Sequence, residues 1–186
     1  MALTLVGQVF IVHKTLLVDM LARFVERKYN PILIDFLSQR LASKAANDSL
    51  RNAAKSLLHN LHQDSNSSMI EFTGQVESLP SLAGLLLSYP AIYHSVDATT
   101  RLVDASINVV MVHTGATDGK IVMQFSCPPD LMELGLEPLK STVQEWKTRI
   151  STLQTSLKEK WINYTRAELC TLEIQIETRR VPILTL

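Results

Sequence analysis

The residues best suited to chemistry stand close together after residue 88, where two tyrosines precede a histidine and an aspartate. A histidine near a carboxylate can act as a general acid or base when a cleft shifts their pKa values. This suggests a small enzyme with a site near Tyr89, Tyr93, His94 and Asp97. The competing interpretation, which we favour, has the tyrosine rings packed with their hydroxyls at the surface and His94 and Asp97 solvated in a loop.

A second pair of histidines, His59 and His62, lies three residues apart on a predicted helix. Two imidazoles at that spacing can face one metal ion, but a metal site needs further ligands. No third ligand is evident nearby, and the chain has no HExxH motif. We therefore interpret both as surface histidines and expect no metal and no other cofactor.

Cys127 is a candidate nucleophile, and it lies at the end of a predicted strand. It alternates with Met123 and Phe125 along a predicted strand, which is typical of a core residue rather than an activated thiolate. The chain also lacks a glycine-rich phosphate loop and the G-x-S-x-G elbow, since its six glycines are scattered. These absences argue against nucleotide-dependent and α/β-hydrolase chemistry, so no catalytic residue is assigned.

The most regular element that could position functional side chains is a helix predicted over 138–160. Its apolar side chains recur at steps of three and four: Leu139, Val143, Trp146, Ile150, Leu153, Leu157 and Trp161. Such a stripe predicts a helix that lies on an apolar surface. Trp146 and Trp161 are therefore candidate core or interface anchors.

The first 62 residues are expected to be mainly helical. A first helix is predicted over Thr4–Lys28 and ends before Asn30-Pro31. The run 31–41 fits either a short buried strand or a second helix, and we favour the helix. Asn47 or Asp48 is the expected N-cap of the next helix.

The rest of the chain has strand periodicity. Met69–Phe72 is a predicted edge strand, and Ser78 or Ser81 should cap a short helix that ends near Tyr89. Further strands are expected near 91–95, 106–113, 120–127 and 171–178. The last residues are apolar, which suggests that Ile183, Leu184 and Leu186 tuck into a sheet or a partner. Together these elements predict a single α+β domain over 1–186, with a small, mainly antiparallel sheet packed against several helices.

Composition limits the partners. Of 186 residues, 46% are hydrophobic and 18 basic side chains balance 18 acidic ones, so the chain can bury a core and has no general attraction to nucleic acid. The apolar run from Leu3 to Phe24 is interrupted by charges and is too short to span a membrane. Two distant cysteines favour a thiol-containing cytoplasmic or nuclear protein.

One segment carries a family resemblance. The run from Leu85 through Ser88-Tyr89-Pro90 to Tyr93, then two strands that end at Phe125-Ser126-Cys127-Pro128 and a tryptophan-bearing helix, resembles an uncharacterised eukaryotic family. That family is named for chromosome one open reading frame seventy-four. The resemblance implies no activity and marks only Tyr89, Pro90 and Tyr93 as positions of interest.

The leading hypothesis is therefore a non-catalytic protein–protein interaction module, or a small subunit of an intracellular complex. Surplus apolar residues in the first helix and in the last six positions motivate it. Its partner would be another protein subunit or a second copy of the chain. The candidate interaction residues share large apolar or aromatic character and are Tyr89, Pro90, Tyr93, Trp146, Trp161, Ile183, Leu184 and Leu186.

Overall fold

A computed structural model describes residues 1–5, 7–63, 69–97, 99, 101–114, 121–133, 148, 152 and 172–185. Within those residues the chain has mixed α+β content, which confirms the expected fold class. The strands are β1 (Ala2–Leu5), β2 (Gln8–Ile11), β3 (Ile32–Asp35), β4 (Arg40–Leu41), β5 (Met69–Phe72), β6 (Ala91–His94), β7 (Arg101–Thr114), β8 (Ile121–Cys127) and β9 (Leu172–Thr185). The helices are α1 (Lys14–Val25), α2 (Lys44–Gln63), α3 (Leu79–Leu86) and α4 (Pro129–Glu133).

The strands form three small sheets, with the orders β2-β1-β5, β4-β3-β6 and β8-β7-β9. Most strand pairs are antiparallel, but β5 runs parallel to β1 and β6 runs parallel to β3. The chain divides into two compact units, Met1–Thr100 and Arg101–Thr185. The single-domain organisation expected from the sequence stays a prediction.

The N-terminal segment is a β-hairpin, so the prediction of one helix over Thr4–Lys28 is wrong for its first part. Leu3 pairs with Phe10 across the hairpin, and Gly7 takes a left-handed φ of 79° in the turn between the strands. Glycine adopts such angles without a Cβ clash. The remaining part is helical, and α1 covers Lys14–Val25.

The run 31–41 is also a correction, because it forms strand β3 and the short strand β4 rather than a helix. Ile32 and Ile34 are β-branched, which favours a strand, and the residues of β3 up to Ile34 are buried. Gln39 has a φ of 55° in the turn that reverses the chain. The strand alternative for this run is therefore the right one.

Helix α2 begins earlier than expected. Its first residue is Lys44, and the backbone N–H of Ala46 donates to Ser43 Oγ at 3.1 Å. Neither Asn47 nor Asp48 is the cap, because both already lie inside the helix. The helix buries one face, which includes Leu50, Ala54, Leu57 and Leu61.

The core of the first unit lies among α1, α2, α3 and the two sheets of this unit. Its fully buried large side chains include Leu3, Leu5, Met20, Leu21, Ile34, Phe36, Leu57, Leu61, Leu82 and Leu85. Burial of one such side chain contributes about 1.5–3 kcal/mol before conformational entropy is subtracted. This core holds the strand ends and helix ends that position the site described below.

Strand β5 and helix α3 confirm two local predictions. β5 covers Met69–Phe72 at an edge of its sheet. Ser78 is the N-cap of α3, and its side chain accepts from the backbone N–H of Ser81. Gly84 of α3 lies so close to β6 that an added Cβ would stand 2.9 Å from Ile92 Cγ2.

The second unit is built on a long antiparallel pair, β7 with β9, and β8 lies on the other side of β7. The strands expected near 106–113, 120–127 and 171–178 are confirmed, although β7 starts at Arg101 and β9 continues to Thr185. The strand expected near 91–95 exists as β6, but it pairs with β3 in another sheet. The predicted helix over 138–160 lies outside the described residues, apart from Thr148 and Thr152.

Two polar features mark the β7–β9 ladder. The Thr178 hydroxyl donates to Asn108 Oδ1 at 2.7 Å. The ladder skips the position where Asp104 would oppose Pro182, and Asp104 has a φ of 57° there. Proline has no N–H to donate to a ladder, which accounts for the local break. None of the helices in the described ranges is both long and apolar enough to cross a membrane.

Candidate functional site

A cleft of about 520 Å³ opens where the parallel strands β3 and β6 end. Asp35 and His94 are register partners at the carboxyl ends of these strands, and both line the cleft. In sheets with parallel strands, ligand sites commonly lie beyond the carboxyl ends. The fold therefore brings together two side chains that stand far apart in the sequence.

His94 is held in place by helix α3. Ile92 and His94 share one face of β6 because side chains alternate along a strand, and α3 packs on that face through Gly84. His94 keeps only 7% of its surface exposed, and its Nδ1 atom lies 3.2 Å from Ser81 Oγ. The opposite ring nitrogen, Nε2, makes no hydrogen bond within the described residues.

Ser78 and Ser81 connect His94 to the start of α3. The Ser78 hydroxyl oxygen accepts from the backbone N–H groups of Ser81, at 3.3 Å, and of Ser95, at 3.1 Å. The two serine hydroxyl oxygens lie 2.9 Å apart, and Ser81 Oγ also lies 3.2 Å from the Tyr93 carbonyl oxygen. This buried network fixes the orientation of the imidazole.

Local hydrogen bonds favour the ionised form of two carboxylates at the cleft, Asp35 and Asp97. Ser38 donates its backbone N–H to Asp35 Oδ1 at 2.7 Å; this bond, the Ser38 hydroxyl and, to a smaller extent, nearby His94 lower the pKa of Asp35. Thr99 donates its backbone N–H and hydroxyl to Asp97 Oδ1, which lowers the pKa of Asp97. Glu77 is a third carboxylate at the cleft.

Large apolar side chains also line the cleft and are open to solvent. Leu37 is 64% exposed, Leu41 is 54% exposed and Val96 is 70% exposed. Leu37 and Leu41 come from the β3–β4 segment, and Val96 follows β6. We refer to Leu37, Leu41 and Val96 as the apolar rim. The cleft thus combines an apolar rim with polar lining groups, as binding pockets commonly do.

The four residues of the enzyme hypothesis are not brought to one place. His94 and Asp97 both line the cleft, whereas Tyr89 and Tyr93 do not. Tyr93 projects from the opposite face of β6 and packs edge-to-face on Phe36, with ring centroids 5.7 Å apart. Tyr89 is half-buried, and its carbonyl oxygen accepts from the Tyr29 hydroxyl at 3.0 Å.

The interaction candidates are divided in the same way. Pro90 is fully buried, Ile183 is exposed on β9, and Leu184 is half-buried against the cluster of Ile107, Val109 and Met111. Trp146, Trp161 and Leu186 lie outside the described residues. The role of all these interaction candidates in binding stays a prediction.

Other polar candidates carry no site. His59 and His62 are exposed on α2, and among the described residues no group of three or more histidine, cysteine or carboxylate side chains could hold a metal ion. Cys127 is buried, as predicted for a core residue, and burial raises the pKa of its thiol to about 11. A thiol with a raised pKa is a poor nucleophile near neutral pH.

Sequence reasoning found His94 and Asp97 but missed their neighbours. A helix over 31–41 does not predict a strand end at Asp35, and the sequence marks Ser81 only as a possible cap. Asp35 ends one strand and His94 ends another. Once the two strands are known to pair in parallel, these sequence positions indicate that the two side chains lie side by side. The apolar rim gives no local signal of this kind.

The comparisons with known proteins give one result. A family model described as a domain of unknown function, DUF4504, matches residues 1–186. No curated protein and no solved structure matches the chain.

Proposed function

We propose that this chain, which belongs to the DUF4504 family, is a non-catalytic interaction module or small subunit of a cytoplasmic or nuclear complex, and that it works by binding another protein. The observation that carries the proposal is the apolar rim around the cleft. The finer likeness, to the family named for chromosome one open reading frame seventy-four, is part of the same proposal.

The energetic argument rests on exposed apolar area. Three large aliphatic side chains around one concavity are each more than half exposed. Removal of apolar surface from water contributes about 25 cal/mol per Å², so a partner segment that covers the rim gains free energy. Single exposed aliphatic residues are ordinary on protein surfaces, but a group of them around a concavity is typical of an interaction site.

Two variants of the full chain test this function. Leu37→Ser with Val96→Ser removes two members of the rim, and Ile11→Ser removes an exposed apolar side chain from β2 as a matched control. Each is used for affinity purification from cells, with quantitative mass spectrometry of the proteins that co-elute. We expect specific partners to be lost with the rim variant and kept with the control.

The same variants also distinguish a homo-oligomer. If the partner is a second copy, sedimentation velocity of the purified chain will show an oligomer that the rim variant dissociates. Co-eluting proteins that the rim substitutions leave unchanged contradict the rim as the binding surface, and a monomeric wild type with no specific co-eluting protein contradicts the proposed function.

A second candidate function is an acid–base enzyme, favoured by one observation: buried His94 and the Asp97 carboxylate line the same cleft. In this alternative His94 transfers the proton, and Tyr89 and Tyr93 act only as supports for β6. The test is a panel of chromogenic ester and phosphomonoester substrates. Turnover that is lost in His94→Gln but kept in His59→Gln supports it, and no turnover by the wild type removes it for those reaction classes.

A further inference from the structure

Among the described residues, the charged carboxylate and basic side chains that line the cleft are all acidic. They are Asp35, Glu77 and Asp97. The whole chain has 18 basic and 18 acidic side chains, so this local excess of negative charge is not a reflection of composition. Arg40 and Lys44 are neighbours along the chain, but neither lines the cleft. The potential in the cleft therefore favours a cation.

The carboxylates keep acceptor capacity for a ligand. In Asp35 and Asp97 the hydrogen bonds from Ser38 and Thr99 engage Oδ1. Oδ2 of Asp97 makes no hydrogen bond within the described residues, and the Ser38 hydroxyl also bonds to the Asp35 carboxylate. A carboxylate has about four lone-pair sites, so both groups can still accept from an incoming donor.

His94 supplies an independent sign of a ligand. It is more than nine-tenths buried, it lines the cleft, and Nδ1 is engaged by Ser81 while Nε2 has no partner in the described part of the chain. A ring nitrogen without a protein partner can bind a ligand group. In the neutral ring with its proton on Nδ1, Nε2 is an acceptor, so the groups offered to a ligand all accept hydrogen bonds.

A guanidinium matches such a set of acceptors best. It carries five N–H donors and no acceptor, and its planar fork suits carboxylates. An ammonium group also fits, with fewer and less directional donors. The apolar rim adds a requirement for aliphatic groups beside the cation.

We propose that the cleft binds a segment of a partner protein in which an arginine stands beside apolar residues, with the guanidinium between Asp35, Asp97 and His94 and the neighbours on the rim. This rests on the proposed function and specifies the partner's chemistry. Charge complementarity and the aliphatic rim together select a peptide over a simple ion.

The experiment uses the full purified chain and short fluorescein-labelled peptides in which one residue stands between leucines. That residue is arginine, citrulline or glutamate, and binding is followed by fluorescence anisotropy. We expect the arginine peptide to bind roughly tenfold or more tightly than the other two, since it alone offers a charged donor. Its Kd should weaken with added NaCl, as a charge interaction does.

Variants then locate the binding. Asp35→Asn and Asp97→Asn retain an Oδ1 acceptor and should each weaken the arginine peptide by roughly tenfold. Asp48→Asn, on α2 and away from the lining, should have no effect. Circular dichroism confirms that each variant is folded, and the salt dependence of the wild type tests the charge argument without any substitution.

The outcomes separate this inference from the function on which it rests. Equal binding of the arginine and glutamate peptides overturns the inference, even if the rim variant still loses its cellular partners. Selective arginine binding by a chain that has no specific partner in cells and does not self-associate supports the cleft chemistry and overturns the proposed function. Spermidine that binds as tightly as the arginine peptide also overturns the inference, because the site would then recognise a free polyamine.

Discussion

The Nδ1 atom of His94 and the hydroxyl oxygen of Ser81 lie 3.2 Å apart, in a network where each proton position is constrained by the others. Ser78 Oγ accepts two backbone N–H groups and lies 2.9 Å from Ser81 Oγ, so we assign its own proton to that contact. We assign the Ser81 proton to the Tyr93 carbonyl oxygen, which can only accept. In this assignment His94 donates Nδ1–H to Ser81 Oγ.

This assignment predicts the tautomer of His94. In ¹⁵N-labelled protein, above the pH at which the ring becomes neutral, long-range ¹H–¹⁵N correlation spectra should show a protonated Nδ1 and an unprotonated Nε2. Ser81→Ala removes the acceptor that selects this tautomer, so the preference should weaken. His59, exposed on α2, serves as the internal control. A protonated Nε2 in neutral wild-type protein would contradict the network.

Ser78→Ala should destabilise the protein by about 1–2 kcal/mol. The substitution removes the N-cap of α3 and leaves the backbone N–H of Ser95 without its acceptor. The free energy of unfolding is measured by urea titration. Ser56→Ala, at an exposed position of α2, should change stability by less than about 0.5 kcal/mol. Equal effects of the two substitutions would show that the cap is unimportant.

Arg51 stabilises the carboxyl end of α1. Its guanidinium donates to the carbonyl oxygen of Phe24 and, at 3.4 Å, to that of Val25, and it stacks 4.6 Å from the centre of the Phe24 ring. Arg51→Met should cost about 1–3 kcal/mol, because it removes the charged donors at a negative helix end.

The matched variants separate charge from geometry. Arg51→Lys keeps the charge but not the planar fork, so it should recover only part of the loss. Lys55→Met, an exposed substitution on the same helix, should have little effect in the same thermal or urea unfolding measurements. Full recovery by lysine would mean that charge alone matters.

Gly84→Ala should destabilise the protein although alanine is the better helix former. The added Cβ would stand 2.9 Å from Ile92 Cγ2, and the β-branched side chain of buried Ile92 has little freedom to move. Overpacking of this kind costs about 1–3 kcal/mol, against a helix gain of up to about 1 kcal/mol.

A double-mutant cycle checks the cause. Ile92→Ala removes the clashing methyl group and is itself destabilising because it leaves a cavity. In that background Gly84→Ala should be neutral or stabilising. If its cost is the same in both backgrounds, the contact with Ile92 is not the reason.

Cys127 should be unreactive and should make stability depend on alkaline pH. Its thiol has a pKa of about 11 in the folded state against 9.0 for an ordinary thiol, because it is buried. Between pH 9 and 11 the folded state retains a proton that the unfolded state loses, so up to about 2–3 kcal/mol of stability disappears as pH rises.

Alkylation by iodoacetamide in a Cys170→Ser background measures the reactivity. The folded protein should react far more slowly at pH 8 than the same protein in urea. Rapid alkylation without denaturant would show an accessible thiolate at Cys127.

Local patterns explain which elements could be predicted. Ser78 with the apolar residues after it indicates a capped helix, and the β-branched runs that form β7 and β8 indicate strands. The N-terminal hairpin could not be predicted, because Leu3, Phe10 and Leu17 also fit helical spacing. Only the left-handed angle of Gly7, which tertiary structure reveals, distinguishes the two.

Only part of the candidate site could be predicted from the sequence, because its residues come from two distant segments of the chain. His94 and Asp97 are close in sequence, so their types alone mark them. Asp35 reaches them through the parallel register of β3 and β6, and no local pattern encodes a pairing between distant strands. The apolar rim is likewise assembled from residues that follow β3 and β6, namely Leu37, Leu41 and Val96.

The β7–β9 ladder has a consequence for how the chain is made. Asn108 and Thr178, bonded across it, are 70 residues apart. On the ribosome, β7 emerges long before its partner strand exists, whereas every strand that pairs in the first unit has already been synthesised. The first unit can therefore fold early. The backbone N–H and C=O groups along the β9-facing edge of β7 stay unpaired until β9 has been synthesised, and in that period a chaperone would protect the chain from aggregation.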